Sequence, residues 1–151
     1  MFWGIIGQII YVISYPVLFM ILRGSKRAYV IIIFESKVLV TKNWLGFNRT
    51  WRLPGGGAKT GESYLQTAIR EVKEEVGIDL SRNNIKQIGE PVKHKKGFYF
   101  QTFITELTVA PRIVAEFPEI WKAEFVDINL LRDDEINLQL KDAISKLGKN
   151  T

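Results

Sequence analysis

The chain lacks cysteine and contains a single histidine, His94. A thiolate-ligated zinc site and a cysteine nucleophile both need a cysteine sulfur, so neither can occur here. One imidazole is also too few for a histidine-ligated zinc centre. The composition therefore rules out histidine-cysteine catalysis.

Repeats, low-complexity tracts and linkers rich in proline or serine are also absent. A chain of 151 residues is the length of one domain, and 46% apolar residues are enough to build a core. The net charge of +5 comes partly from Arg23, Lys26 and Arg27, so it gives little support for nucleic-acid binding.

No charged side chain occurs from Met1 to Leu22. As a helix this segment would be about 33 Å long, and about 20 apolar residues span the hydrocarbon core of a bilayer. Pro16 would kink such a helix, which membranes tolerate better than water does. The pattern predicts a transmembrane-type hydrophobic helix over residues 1–22, followed by a folded domain over residues 24–151.

Other interpretations of this segment remain open. A secretory signal peptide would carry basic residues before the apolar run and a small-residue cleavage site after it, and neither is present. A helix packed on a soluble domain would show a polar face, which only Gln8 and Ser14 supply. A homodimer interface is a further use of such a surface. The membrane anchor is favoured over these.

Basic residues follow the apolar run and none precedes it. Because cytoplasmic flanks of membrane helices are enriched in lysine and arginine, the folded domain is expected to be cytoplasmic. A soluble cytoplasmic protein is the alternative.

Residues 63–77 have the pattern of an amphipathic helix with both ends defined. One stripe, spaced as a core-facing surface, consists of Leu65, Ala68, Ile69, Val72 and Val76. Ser63 and Gln66 have the spacing of a capping box, and Gly77 stands where a left-handed residue usually ends a helix.

Three glutamates share an arc about 100° wide on this helix: Glu71, Glu74 and Glu75. Their carboxylates repel one another, and the helix macrodipole disfavours negative charge near its C-terminus. Arg70 and Lys73 could neutralise the set as an ordinary solvated face. The alternative is that the carboxylates converge on a bound cation.

The arrangement around these glutamates is specific. Gly56 is followed by five residues, Glu62, seven residues and then the run REVKEEVGI that ends at Ile78. Every fixed position of the Nudix box is present, so the chain resembles a MutT-like Nudix hydrolase from about Ala28 to Leu131.

The resemblance implies a divalent metal site. In the family the last two glutamates of the box, here Glu74 and Glu75, bind the cation with a carbonyl of the glycine loop, here Gly56. Glu71 would be a further ligand or the base that activates water. Hard oxygen ligands suit Mg²⁺, with Mn²⁺ as a substitute.

The remaining site residues are also assigned by resemblance. Glu62 would support the site, and Arg70 would pair with the carboxylates and hold them in place. Some members add a metal-binding glutamate from a loop before a late strand, which suggests Glu119 here, with Glu116 as the rival.

The segments around the helix predict an α+β domain. Residues 29–34 and 37–41 are β-rich and joined by Glu35 and Ser36, so a hairpin is expected. Residues 85–94, 97–107 and 123–128 resemble further strands, and Ile136 to Leu147 a closing helix. The family resemblance implies a Nudix fold, an α/β/α sandwich with a mixed sheet.

The reaction implied is cleavage of a diphosphate bond by water attack at phosphorus. The expected substrate is a nucleotide or another small molecule containing a diphosphate. Arg49 and Arg52 could bind its phosphates and Phe98 could stack on a base. Markers of ADP-ribose and dinucleoside polyphosphate hydrolases are missing near His94 to Lys96. The alternative is a membrane-tethered nucleotide sensor without turnover.

Overall fold

The computed structural model describes residues 24–43, 50–80, 85–116 and 119–147. The strands of this part are β1 (Lys26–Phe34), β2 (Lys37–Asn43), β3 (Gly55–Gly57), β4 (Lys86–Lys93), β5 (Tyr99–Glu106) and β6 (Ile120–Val126). Its helices are α1 (Tyr64–Val76), α2 (Leu138–Leu147) and a short 3₁₀ turn at Ile128–Leu130.

Strand β1 lies at the centre of a mixed sheet with the order β4-β5-β1-β2-β6. It runs parallel to β5 and antiparallel to β2. On the β2 side, its first residues pair instead with the glycine strand β3, with Ala28 opposite Gly56. This pairing fixes the glycine loop against the middle of the sheet.

The predicted hairpin between β1 and β2 is confirmed. Glu35 and Ser36 form its two-residue turn, with φ angles of 47° and 62°. Two successive positive φ angles are typical of a turn whose twist matches that of the flanking strands.

Helix α1 begins and ends where the sequence predicts. The Ser63 side chain accepts a hydrogen bond from the Gln66 N–H, and the Gln66 side chain accepts one from the Ser63 N–H. Gly77 has a φ of 73° and its N–H donates to the carbonyl of Lys73. The helix ends are therefore set by local hydrogen bonds.

Alternate residues of β1 face two separate cores. Ala28, Val30 and Ile32 pack with the apolar stripe of α1, whereas Tyr29 and Ile31 pack on the side of α2. The α2 side is completed by Val38, Val40, Leu53, Ile136, Leu140 and Ala143. The sheet thus lies between two helices, which confirms the α+β class and the mixed-sheet sandwich.

Two predicted boundaries are wrong by a few residues. Strand β6 begins at Ile120, before the predicted residues 123–128, because its first residue still pairs with Asn43 of β2. Helix α2 begins at Leu138 and not at Ile136. Ile136 forms a parallel bridge to Trp51, and the Asn137 side chain accepts the N–H of Leu140 as a cap.

The predicted helix over residues 1–22 lies outside the described residues, as does Arg49. Within the described residues, no helix is long and apolar enough to cross a membrane.

Candidate active site

The C-terminal half of α1 lies against the glycine strand. The Gly55 N–H donates a hydrogen bond to Oε2 of Glu75 over 2.7 Å, and Glu75 is only 6% exposed. Gly55 has a φ of 139°, and a Cβ there would lie 2.1 Å from the Ala28 carbonyl oxygen. Only glycine fits this position, so the donor to Glu75 depends on it.

Burial is the main reason why the pKa of Glu75 is raised to about 8. The negative charges of Glu71 and Glu119 act in the same direction, while the Gly55 N–H and the charge of Arg52 oppose it. A buried carboxylate with two like-charged neighbours gains from any added positive charge.

Glu71 occupies the space beside Gly56 that a side chain would fill. A Cβ on Gly56 would lie 2.6 Å from Oε2 of Glu71, whereas a Cβ on Gly57 would meet nothing within 4 Å. Burial raises the pKa of Glu71, and the charges of Glu74 and Glu119 add to this while Arg70 opposes it. The fixed glycine of the box thus makes room for a fixed glutamate.

The carboxylates converge, but on Arg70. Its Nε and Nη2 donate to the two oxygens of Glu62 over 2.7 and 2.9 Å. Its Nη1 donates to Glu71 over 2.8 Å and to Glu74 over 2.7 Å. Nη2 also reaches the Gly57 carbonyl over 2.8 Å. One guanidinium therefore joins the helix, the loop and three acids.

Lys73 does not share in this neutralisation. Its ammonium pairs with Asp79 over 2.9 Å, at the C-terminal end of α1. The interpretation that Arg70 and Lys73 together neutralise the glutamates is therefore wrong for Lys73.

Two residues that the sequence reasoning missed complete the acid network. Lys59 donates its N–H to Glu62 over 2.8 Å and its ammonium to Glu74 over 3.3 Å. The buried Thr67 hydroxyl donates to Glu62 over 3.1 Å. Lys59 lies between the fixed residues Gly56 and Glu62, which is the sequence signal that could have identified it.

These contacts give the acids of the site different pKa values. The hydrogen bonds from Arg70 and then from the Lys59 N–H lower the pKa of Glu62 to about 2. Partial burial disfavours the ionised form of Glu74, but hydrogen bonds from Arg70 and Lys59 outweigh it and lower its pKa. Glu62 and Glu74 are thus held as anions beside two carboxyls with raised pKa values.

Of the two candidate loop acids, Glu119 has its charge near the site. That charge raises the pKa of Glu71 and of Glu75. Glu116 contacts the helix through its backbone, where its N–H donates to the Glu75 carbonyl over 3.0 Å. The electrostatic effect of Glu119 on Glu71 and Glu75 favours it over Glu116 as the added acid.

The acids supply the oxygen ligands that a hard divalent cation prefers, but their side chains are not positioned to hold one in this structure. Carboxylate oxygens are the ligands that Mg²⁺ and Mn²⁺ prefer. However, no group of three or more His, Asp or Glu side chains in the described ranges is positioned to hold a metal ion. Arg70 and Lys59 engage the oxygens of Glu74, so a cation would have to replace some of these contacts.

The substrate-binding candidates lie in different environments. Arg52 is within electrostatic range of Glu75. The positive charge of Arg52 lowers the pKa of Glu75, against the larger effect of burial. Phe98 is 4% exposed and its ring stacks on His94 at 4.3 Å between centroids. The Arg27 guanidinium lies 5.4 Å from the centre of the same ring. In this conformation Phe98 contacts protein side chains.

The sequence model of the NUDIX domain matches residues 24–147. The chain belongs to the Nudix family. This confirms the family resemblance and the prediction of a Nudix-type hydrolase, over a longer stretch than Ala28 to Leu131.

Known relatives are distant in sequence and close in fold. Nucleoside diphosphate-linked moiety X motif 6 of Mus musculus is 30% identical over 100 residues, which are 64% of this chain and 32% of that protein. The chain thus spans about a third of that relative. A MutT Nudix hydrolase from Burkholderia pseudomallei is 18% identical with a TM-score of 0.68, covering 83% of this chain and 98% of that one.

A third similar protein is a bifunctional NMN adenylyltransferase/ADP ribose pyrophosphatase from Francisella tularensis, solved with AMP and a Mn ion. It is 19% identical with a TM-score of 0.70, covering 93% of this chain and 46% of that one. At sequence identities this low, the structural similarity shows a common fold. They leave the substrate of this Nudix chain as a separate question.

Proposed function

We propose that this Nudix chain is a Mg²⁺-dependent pyrophosphohydrolase, with Mn²⁺ as a substitute, that cleaves a nucleoside diphosphate linked to another group. The observation that carries the proposal is the pair of carboxyls of Glu71 and Glu75 beside the glycine strand, with the charge of Glu119 within electrostatic range of both. Both carboxyls have raised pKa values because they are buried near one another. An added cation would relieve that repulsion.

The residues that would hold the cation are Glu74, Glu75 and Glu119, together with the carbonyl of Gly56, and Glu71 would be either a further ligand or the base. When bound, a divalent cation neutralises phosphate oxygens and makes water a better nucleophile at neutral pH. The donor set contains only oxygen, as Mg²⁺ requires.

Glu71 is our candidate for the proton acceptor. Its Oε1 is held by Arg70, while its Oε2 lies beside Gly56. A carboxylate fixed by one oxygen leaves the other to accept the proton of an attacking water. Burial raises its pKa, which brings that carboxylate closer to the basicity that a general base needs.

Arg70 and Glu62 act as positioning residues. The two-pronged pairing of Arg70 with Glu62 fixes the guanidinium plane, and the remaining donors then fix Glu71 and Glu74. Such planar, bidentate pairing restrains both partners in geometry as well as in charge. Lys59 adds a second cation beside Glu74.

Arg52 and Arg49 are the proposed contacts for substrate phosphates, and Phe98 is retained as a substrate-binding candidate. Arg52 is within electrostatic range of Glu75, one of the proposed cation ligands. The mouse relative is named for nucleoside diphosphates linked to a further moiety, and the Francisella protein was solved with AMP. Both names support a nucleotide substrate here.

We also propose that residues 1–22 anchor the chain in a membrane, with the catalytic domain, residues 24–151, on the cytoplasmic side. The support is the sequence, because a 22-residue run without charge is followed by Arg23, Lys26 and Arg27. In this arrangement homodimerisation through the apolar segment is a secondary possibility. A washed membrane fraction should retain the full chain and lose a form without residues 1–22.

The function is tested by turnover of the full chain in detergent with Mg²⁺. Nucleoside triphosphates, nucleotide sugars, dinucleotides and isoprenoid diphosphates form the panel, and products are identified by mass. Glu74→Gln tests the site, since Glu74 is 47% exposed and its loss should leave the fold intact. Glu106→Gln, on an exposed residue at the far end of β5, is the matched control.

Cleavage of one substrate class by the wild type and Glu106→Gln, with at least ~100-fold slower turnover by Glu74→Gln, supports the proposal. The competing candidate is a nucleotide sensor. It is favoured by the finding that Arg70 and Lys59 already occupy the oxygens of Glu74. Nucleotide binding by a folded protein without any turnover would establish the sensor instead.

A further inference from the structure

A row of basic and aromatic side chains crosses three neighbouring strands at one end of the sheet. Tyr99 of β5 pairs with Lys93 of β4 on one side and with Lys26 of β1 on the other. Paired residues on adjacent strands face the same side of a sheet. Lys95 follows Lys93 by two positions, in the turn between β4 and β5. We call these four residues the basic edge.

The members of the basic edge are exposed. Lys26, Lys93 and Lys95 lie at the surface, and Tyr99 is 40% exposed, which is high for a large aromatic side chain. The Lys93 ammonium lies 5.9 Å from the centre of the Tyr99 ring, and that of Lys26 lies 5.7 Å from the Tyr64 ring. Two of the three lysines, Lys26 and Lys93, thus lie close to aromatic rings.

Carboxylates do not neutralise this edge. Across the ranges that the structure describes, no Asp or Glu forms an ion pair with Lys26, Lys93 or Lys95. Other surface lysines do have such partners, as Lys73 has in Asp79 and Lys146 in Asp142. The positive charge of the edge therefore remains available to an external anion.

The basic edge lies where the apolar segment joins the domain. The Gly24 N–H donates to the Gly97 carbonyl and the Tyr99 N–H donates to the Ser25 carbonyl, each over 2.9 Å. Gly24 follows Leu22, the last residue of the apolar run, by two positions. A chain extends at most about 3.6 Å per residue, so Lys26 of the edge lies within roughly 15 Å of the end of that run.

We propose that the basic edge binds anionic lipid headgroups at the membrane that residues 1–22 enter. The negative surface potential of a cytoplasmic leaflet attracts lysines that lie within about a Debye length of it, roughly 8 to 10 Å. A partly exposed tyrosine between two lysines suits the same boundary, with an apolar ring and a polar hydroxyl. The edge would hold the domain in one orientation against the surface.

This inference rests on the proposed anchor and does not depend on the hydrolytic activity. A lipid surface is favoured over a soluble anion because the cations are spread along a row across three strands and adjoin an apolar segment of membrane-spanning length. A soluble phosphate would instead need donors that converge on one point.

Site-resolved labelling of lysines tests the inference. The full chain is reconstituted into vesicles of phosphatidylcholine alone or with about 30% phosphatidylserine, which supplies the negative surface potential. An amine-reactive reagent is added, and the labelling rate of each lysine is measured by mass spectrometry. The controls within the same molecule are Lys37 and Lys86, at the opposite end of the sheet, and Lys141 of α2, which pairs with Asp133.

We expect Lys26, Lys93 and Lys95 to be labelled at least about threefold more slowly on the anionic vesicles, with the control lysines unchanged. The difference should vanish near 1 M salt, where the Debye length falls to about 3 Å. If anionic vesicles slow amide hydrogen exchange around Tyr99 beyond the protection that the sheet already gives, changing all three edge lysines to Gln should abolish that added protection. The matched change of the three control lysines should leave it intact.

Equal labelling on both vesicles, with the chain still floating with each, would contradict lipid binding by the basic edge but not the proposed membrane anchor. Failure to float with either vesicle would overturn both. If inorganic phosphate, added without vesicles, slowed the labelling of the same lysines, the edge would bind a soluble anion, against the proposal. None of these outcomes alters the turnover assay, so the proposed hydrolysis is judged separately.

Discussion

The carboxylate of Glu75 accepts a hydrogen bond from the backbone N–H of Gly55, 2.7 Å away, and this bond joins the box helix to the glycine strand. It is the point where the helix that carries the acids is fixed to the loop that adjoins them. The position of Glu75 therefore depends on a backbone donor.

Replacing Glu75 separates its structural role from its charge. Glu75→Gln keeps an oxygen for the Gly55 N–H and removes a buried charge, so we expect thermal stability in EDTA to be retained and Mg²⁺-dependent turnover to fall at least ~100-fold. Glu75→Ala leaves the Gly55 N–H without a partner and should cost about 1–3 kcal/mol of unfolding free energy. Equal turnover by Glu75→Gln and wild type would contradict the assignment.

Gly56 and Gly57 form a matched pair that tests the position of Glu71. A methyl group on Gly56 would displace the Glu71 carboxylate, whereas one on Gly57 meets open space. Gly56→Ala should therefore lower turnover by about tenfold or more while Gly57→Ala stays near wild type, because misplaced catalytic groups lose their rate advantage. The two variants are compared by kcat and by circular dichroism. Similar losses in both would mean that the loop backbone matters and the Glu71 contact does not.

Arg70 should stabilise the metal-free protein more than the metal-bound one. Arg70→Gln leaves Glu62, Glu71 and Glu74 without their shared cation, and we expect a loss of about 2 kcal/mol in urea unfolding with EDTA. Mg²⁺ should recover part of that loss, since it neutralises the same acids. Arg132→Gln removes an exposed arginine paired with Asp134 and should change little. A loss that Mg²⁺ does not reduce would argue against metal binding by these acids.

His94 predicts a change of stability with pH. Burial, and then the charges of Lys96, Lys95 and Arg27, lower its pKa below 6.5. The unfolded chain therefore takes up the proton first, so the unfolding free energy should fall as the pH drops below about 7. Glu75, with its raised pKa, contributes with the opposite sign.

The His94 contribution is isolated by the difference between wild type and His94→Gln in urea unfolding from pH 7.5 to 5.5. The advantage of wild type should shrink as the pH falls. A difference that is constant or grows toward low pH would show that His94 is not held in its neutral form.

Local features of this fold were predictable from sequence and tertiary contacts were not. The ends of α1 follow from Ser63, Gln66 and Gly77 because capping involves neighbours along the chain. The turn at Glu35 and Ser36 follows from two β-rich runs that flank it. The start of α2 was misplaced because Ile136 pairs with Trp51, a contact between residues far apart in sequence.

The same division applies to the site. The box pattern identified the acids and the arginine, and it could not show that Arg70 binds three of the acids at once. Nor could it show that Glu75 depends on the Gly55 N–H, because a pattern of side chains does not reveal which backbone N–H groups donate hydrogen bonds. Lys59 and Thr67 join the network only through the path of the loop before α1.

Binding of a divalent cation by the box carboxylates can be measured by a Mn²⁺ titration of the full chain, followed by electron paramagnetic resonance. We expect at least one bound Mn²⁺ per chain in the wild type and in Glu106→Gln, and its loss in Glu74→Gln and Glu75→Gln. Equal Mn²⁺ binding in all four proteins, or none in the wild type, would contradict it.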